Sequence, residues 1–348
     1  MQQQQVLQAY GFNNDVVVQP FGTGLINHTW TVYNGKEKLI LQRINHNVFK
    51  SPGAIAANIR LISQYLSAHH PGYLFVTPEQ TLQRQDIVYL EGEGYYRLFP
   101  FVAGSHTIDV VHSTTLAYEA AKQFGRFTRL LCDFPCEDLQ VTLPDFHNLP
   151  LRYRQFEKAI QLGNKNRIKE ATELIRFLQH HRNIVEVSAA IPFNPAFQKR
   201  VTHHDTKISN VLFNDEDKGL CVIDLDTVMP GYFISDVGDM LRTYLSPVSE
   251  EETDFSKIEI REDYFKAIAA GYLGEMGDVL SSEEKAHFVY AGKFMIYMQA
   301  LRFLTDYISD DVYYGCKYEK HNLMRANNQI VLLEQLMAKE EVMSKMID

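Results

Sequence analysis

Only four of the 348 residues are cysteine: Cys132, Cys136, Cys221 and Cys316. They form no CxxC pair and no His/Cys cluster with zinc spacing, so neither a zinc module nor a disulfide framework is expected. Reduced thiols in a cytosolic protein are the expectation. The run CDFPCED at Cys132 lacks the arginine and spacing of a CxPxR segment, which removes a sulfatase. No uninterrupted apolar run reaches the length of a membrane span. The opening MQQQQVLQAYGF has no basic stretch ahead of an apolar one, so no signal peptide is expected and the location expected is cytoplasmic. Positive charge is short as well. Lys and Arg number 34 against 43 Asp and Glu, a formal net charge of -9, which argues against nucleic acid or an anionic membrane as partner. The His pairs at 69–70, 180–181 and 203–204 do not have the spacing of helical metal ligands.

What is present is ordinary globular material, 45% apolar and 22% charged, in a length that suits two structural units. The first hundred residues read as strands. DVVVQP runs into the turn FGTG. TWTVY and KLILQRI flank Asn34-Gly35, a hairpin turn. Pro52-Gly53 open the apolar-periodic helix AIAANIRLISQYLSAHH, which Pro71-Gly72 end. QTLQRQDIVYLEGEGYYRLFPFV gives two or three further strands. After FPFVAGSHT the character becomes helical: VVHSTTLAYEAAKQFGRFTRLL, LRYRQFEKAIQLG and NRIKEATELIRFLQHH. Two short strands, VLFN and GLCVIDL, interrupt. Helices resume with REDYFKAIAAGYLGEM, then SSEEKAHFVYAGKFMIYMQALRFLTDYI as one buried helix opened by the capping box Ser281/Glu284, then HNLMRANNQIVLLEQLMAKEE. The expected division is a β-rich lobe over 1–100 and a helical lobe over 101–348, with a hinge near 99–104. A ligand belongs in the crevice between them.

The chemistry concentrates in VTHHDTKISNVLFNDEDKGLCVIDLDTVMPG, residues 201–231. Phosphoryl transfer needs a carboxylate for the attacking hydroxyl, hard oxygen ligands for Mg²⁺ and a cation for the moving phosphoryl. Asp205, Asn210, Asp224 and Lys207 supply those types. Asp224 closes the run CVID and is expected at a strand end, facing a cleft. One Asp, one Asn and phosphate oxygens suffice for Mg²⁺, and Asp226 could reach a second ion.

HHDTKISN matches the HxDxxxxN loop of protein-kinase-like enzymes. VIDLD resembles the IDxD element of the aminoglycoside phosphotransferase and choline kinase family. With FGTGLINHTW, LILQRIN, DVGDMLR, LRFLTDYI and KYEKHNLMRANNQI, the chain resembles the N-acetylhexosamine 1-kinases within that family over nearly its whole length. The resemblance implies an α+β, protein-kinase-like bilobal fold: a small five-stranded antiparallel β lobe with one helix, and a larger helical lobe. It implies transfer of phosphate from ATP, with Mg²⁺, to the anomeric hydroxyl of N-acetylgalactosamine or N-acetylglucosamine. Asp205 is then the base and Lys207 approaches the γ-phosphate. Asn210 and Asp224 hold the metal, assisted by Asp226. Arg302 and Tyr313 line the sugar site, and Asp236 supports the catalytic loop through its backbone. Gly22, Thr23, Gly24 and Asn27 form a loop over the phosphates. The same fold also serves aminoglycoside, choline, homoserine or other sugar acceptors, and a binding module without catalysis is the alternative from another class.

Three features depart from the kinase pattern. Leu25 stands where the hexosamine kinases carry a histidine. Gln42 stands where β-strand lysine is usual, as it does in the N-acetylhexosamine 1-kinases, and the helix after Pro52 contains no glutamate. Arg43, beside Gln42 at the nucleotide, or Arg60 is expected to supply the missing charge. Arg302 also stands four residues before Asp306, the spacing of a helical ion pair. Arg97, Phe99 and Phe101 lie near the connector and read as core packing or an adenine contact.

Overall fold

The computed structural model describes residues 2–13, 15–22 and 26–347. Five strands, β1 (Val17–Pro20), β2 (His28–Tyr33), β3 (Lys38–Ile44), β4 (Val88–Leu90) and β5 (Gly94–Pro100), form one antiparallel sheet in the order β1-β2-β3-β5-β4. Asn34 turns the β2–β3 hairpin by accepting the Lys36 and Glu37 amides at 3.0 Å each, with Gly35 at φ 85°. Leu39 and Leu41 face one side of the sheet, where they pack with Val32, Tyr96, Leu98 and with Val6 and Leu7 of a short helix, α1 (Gln2–Gln8). The glutamine run reads as low complexity in sequence. Two apolar residues at its end dock it as a helix. The opposite side of β3 carries Gln42 and Ile44. Ile44 meets α2 (Pro52–His69) through Ile55, Ile59 and Ile62 in the main core.

The rest is mostly helical: α3 (Thr114–Leu130), α4 (Leu149–Leu162), α5 (Lys165–Glu170), α6 (Thr172–His180), α7 (Asn183–Ala190), α8 (Phe233–Tyr244), α9 (Glu262–Met276), α10 (Ser282–Ala286), α11 (Phe288–Ile308), α12 (His321–Ala338) and α13 (Glu340–Ser344). Two small antiparallel ribbons sit among them. β6 (Arg200–Thr202) pairs with β9 (Met229–Gly231), and β7 (Val211–Phe213) with β8 (Gly219–Val222). The outer ribbon, β6–β9, is not foreseen from sequence, because three-residue strands carry too little periodicity.

Helix α11 is the axis of this lobe, buried along nearly its whole length. Its sequence is apolar all round because α4, α8 and α12 surround it. At the α8 crossing a Cβ on Gly238 would collide with the Ala291 carbonyl, so only glycine lets these helices approach so closely. The capping box at Ser281/Glu284 is present, but it opens α10 alone. The chain breaks at His287 before α11, where a single helix is expected from sequence. Glu284 is drawn inward instead. Fully buried, it accepts from Arg200 at 2.6 and 3.0 Å and from the amides of Gln198 and Ser281 at 3.2 and 3.0 Å. That pairing fixes the start of β6. Among the described residues no helix is long and apolar enough to cross a membrane.

Candidate active site

Strand β6 delivers the chain into His203-His204-Asp205, and α8 grips that loop from behind. Asp236, in the first turn of α8, accepts the His203 amide at 3.0 Å and the His204 amide at 2.7 Å. Asp239, one helical turn on, accepts the Thr206 amide at 2.9 Å. Thr206 donates its hydroxyl to the Asp236 carbonyl at 2.7 Å, and Tyr244 donates to the Thr206 carbonyl at 2.6 Å. From the other side Thr227 donates to the His203 carbonyl at 2.6 Å, and the His203 ring meets the Ile223 carbonyl at 2.9 Å. His204 takes the left-handed conformation, φ 68°, and lays its ring over Gly231, where a Cβ would have no room. These bonds satisfy the backbone of an otherwise irregular segment inside the protein. Burial pushes Asp236 up to about 7 despite the two amides, and pushes the His204 imidazole down to about 3, so the loop rests on a neutral histidine.

The groups expected to do chemistry converge in front of this loop. Asp205 is about one quarter exposed, and Lys207 Nζ lies 3.2 Å from its Oδ1. Asn210 donates Nδ2 to the Asp205 carbonyl at 2.8 Å and to Asp205 Oδ2 at 3.0 Å. Among the described residues no donor reaches Asn210 Oδ1. The Asp205 carboxylate raises Lys207 above the usual lysine range. Asp224 lies two residues beyond β8 in the left-handed region, φ 59° and ψ 61°, open to the cleft. Burial and the Asp226 and Asp205 carboxylates push it up to about 7. Asp226, in the turn Leu225–Thr227, is buried.

The sheet side of the cleft answers to Asp226. Asn27 donates to Asp226 Oδ2 at 2.8 Å and accepts the Asn45 amide at 2.9 Å. Gln42 on β3 pairs in register with Arg97 on β5 and accepts from its Nε and Nη2 at 2.9 and 2.6 Å. Arg97 Nη1 is 2.5 Å from Asp226 Oδ1. Arg97 is therefore neither simple core packing nor an exposed adenine contact. The expectation for Arg43 and Arg60 needs correcting. Arg43 points to the face of the sheet opposite Gln42 and pairs with Glu93 at 3.0 Å, and Arg60 pairs with Asp86. Strand alternation takes the first away from the cleft, and a local acid holds the second. Helix α2 contributes Asn58. Its amide donates to the carbonyls of Gln140 at 2.8 Å and Val228 at 3.1 Å, tying α2 to the acidic segment. Phe99 lies under Arg97, and Phe101 under Lys38. Gly22 has φ 74°; Thr23, Gly24 and Leu25 lie outside the described residues.

Beyond Lys207 lies a cluster of arginines. Arg242 bridges Asp239 at 2.9 Å and Glu250 at 2.7 Å, and Arg325 pairs with Glu250 and with Glu251. Arg302 does not pair with Asp306, which instead accepts the amides of Tyr313 and Tyr314 at 2.7 and 2.9 Å. Arg302 lies against the Tyr313 and Tyr314 rings, 3.4 Å from the Tyr313 hydroxyl and from Gln299 Oε1. Arg152 donates to the Asp145 carbonyl at 2.9 Å and to Gln155 at 3.1 Å. Burial and the nearby Arg302 charge lower it below the usual arginine range. Among the described residues neither Arg152 nor Arg302 has a carboxylate partner.

A five-stranded antiparallel sheet with two helices, set on a helical lobe that presents Asp, Lys, Asn and two further acids at the junction, is the protein-kinase-like architecture of a phosphotransferase. The chain belongs to the APH phosphotransferase enzyme family, whose model matches residues 17–276. Solved structures share the fold over almost the full length at low identity. Spectinomycin phosphotransferase in complex with ADP and spectinomycin is 14% identical, with a TM-score of 0.64 and 98% of each chain covered. An aminoglycoside phosphotransferase from Alicyclobacillus acidocaldarius is 13% identical, with a TM-score of 0.67 over 99% of this chain and 96% of that one. Amicoumacin kinase with AMP-PNP and Ca²⁺ is 13% identical, with a TM-score of 0.62 over 96% of this chain and 94% of that one.

Proposed function

We propose that this phosphotransferase uses ATP and Mg²⁺ to phosphorylate the anomeric hydroxyl of an N-acetylhexosamine, within a cleft between lobes formed by residues 1–100 and 101–348. The observation that carries the reading is the convergence of Asp205, Lys207, Asn210 and Asp224 on one cleft of a kinase-like fold. Mg²⁺ keeps waters and needs only one or two protein carboxylates beside phosphate oxygens. Asn210 Oδ1 is free to bind it, and Asp224 is an acid crowded by two others, a donor set that favours a divalent cation. Bound there, the ion would offset charge on the phosphate oxygens.

Asp205 accepts the proton of the acceptor hydroxyl. The acceptor oxygen forms its bond to the γ-phosphorus as the bond from that phosphorus to the ADP oxygen breaks, and both electrons of that bond leave with ADP. Lys207 steadies the charge on the phosphoryl oxygens. Asp236 and Asp239 act through the backbone alone, fixing where Asp205 stands.

The arginine lining supports a neutral acceptor over a cationic one. Arg302 and Arg152 are unneutralised, and an aminoglycoside or choline would enter against them. Guanidinium and tyrosine together suit hydroxyls and an acetamido carbonyl. A panel of N-acetylhexosamines, aminoglycosides and choline, assayed for ATP consumption with Mg²⁺, tests this. Turnover confined to the amino sugars supports the reading, and turnover of choline or aminoglycosides alone overturns it. Arg302→Ala is expected to raise the acceptor KM about tenfold, the loss of one charge-assisted hydrogen bond, and to leave the ATP KM within about twofold. An equal rise in both would place Arg302 outside the acceptor site.

Mg²⁺ binding should depend on pH. The proton on Asp224 must leave before the metal binds, and its pKa is raised to about 7. Affinity for Mg²⁺ in the presence of ADP is then highest above pH 7 and falls towards tenfold per pH unit below it. Calorimetry at pH 6 and pH 8 reads this, and equal affinity at both would show that Asp224 is already ionised at pH 6.

A further inference from the structure

Kinase-like sites need a cation from the sheet to meet the nucleotide's α- and β-phosphates. Here Gln42 occupies the strand position, and α2 offers no glutamate to hold a lysine there. We propose that Arg97 of β5 is that cation, aligned by Gln42 and parked on Asp226 until a nucleotide arrives. The inference rests on the nucleotide-dependent kinase proposed above.

Register is the first argument. Gln42 and Arg97 are directly opposed across β3 and β5, so the guanidinium stands on the same face, beside the place a strand lysine would fill. The second is elimination of the neighbouring cations. Arg43 faces the other side and holds Glu93, Arg60 holds Asp86, and Lys38 lies over the Phe101 ring at 3.9 Å. The third is the contact itself. Arg97 and Asp226 are 2% and 1% exposed and 2.5 Å apart, a buried ion pair whose two charges a phosphate oxygen and a metal ion can each meet. Nη1 can donate to a phosphate oxygen, and Oδ1 can turn to a metal ion beside Asp224. Gln42, bonded to Nε and Nη2, keeps the guanidinium in place during the exchange. Asn27, at the end of the glycine loop, holds Oδ2 of the same carboxylate. Loop, strand cation and acidic segment thus share one anion in the resting protein.

The arrangement makes Asp226 a competitor for Arg97, which gives the test two opposite signs. ADP is titrated calorimetrically into the full chain, once with EDTA and once with Mg²⁺. Arg97→Gln should weaken ADP about tenfold or more in both conditions, and Arg97→Lys should restore most of the loss. Asp226→Asn should tighten ADP in EDTA about threefold or more, because Arg97 is released, and weaken it with Mg²⁺. A guanidinium that merely props up the fold would not bind ADP more tightly once its acid is removed. Unchanged or weaker binding by Asp226→Asn in EDTA, or wild-type binding by Arg97→Gln, overturns the inference and leaves the kinase reading standing. No ADP binding by the wild-type protein in either condition overturns both. If Arg97→Gln does not fold, Asp226→Asn decides alone.

Discussion

With asparagine in place of Asp205, kcat for phosphoryl transfer is expected to fall about 10²–10⁴-fold, the range for loss of a positioned general base. The substitution preserves size, and the new side-chain oxygen can still accept from Asn210. It removes the proposed proton acceptor and the partner of Lys207. Stability should not suffer. Asp205 is one of the charges that push Asp224, Asp236 and Asp239 upward, so neutralising it relieves repulsion among buried acids. An inactive protein with an unchanged or raised melting temperature and ADP affinity within about threefold of wild type is the expected outcome. Steady-state kinetics with N-acetylglucosamine, thermal unfolding and ADP calorimetry check its three parts. A variant retaining more than about a tenth of wild-type kcat would remove Asp205 as the base.

The largest stability effect is expected far from the cleft. Glu284→Ala leaves Arg200 charged and only 5% exposed, and strips two amides of their acceptor. Breaking a buried pair from one side costs about 3–5 kcal/mol. Replacing both members, as Arg200→Met with Glu284→Leu, should recover most of that loss, because the desolvation of two ions is removed together with their attraction. Urea unfolding of the single and double variants measures it. A cost below about 1 kcal/mol for Glu284→Ala would show that water reaches the pair. Arg200 opens β6, so an associated fall in kcat would report that the strand had shifted.

Most of the elements were legible from local signals, and the kinase-like fold from the resemblance that HHDTKISN and VIDLD carry. Asn34-Gly35 marks its hairpin, alternation in KLILQRI separates the two faces of β3, and Pro52 opens α2. Signals confined to a few residues misled where packing decides. Ser281 and Glu284 make a true capping box, but Glu284 is pulled in by Arg200, and the helix ends at Ala286 instead of continuing into α11. Within the cleft, Asp205, Lys207, Asn210 and Asp224 could be picked out because they lie in one short segment. Arg97 could not be connected to Gln42, 55 residues away, without knowing that β5 inserts beside β3. Arg152 gave no signal at all, since nothing in LRYRQF distinguishes a solvated helical arginine from one brought close to Arg302. A missing strand lysine with a strand arginine elsewhere in the lobe is the pattern that would have pointed to Arg97.

The seam at Gly238 and Ala291 has a consequence for how damage spreads. Helix α8 holds the loop amides with Asp236 and Asp239, and it sits on α11 with no room for one extra methyl group. A helix forced outward there carries both acids with it, and the loop bearing Asp205 follows. Random mutagenesis screened for folded but inactive molecules should therefore return hits along this buried seam, well behind the cleft.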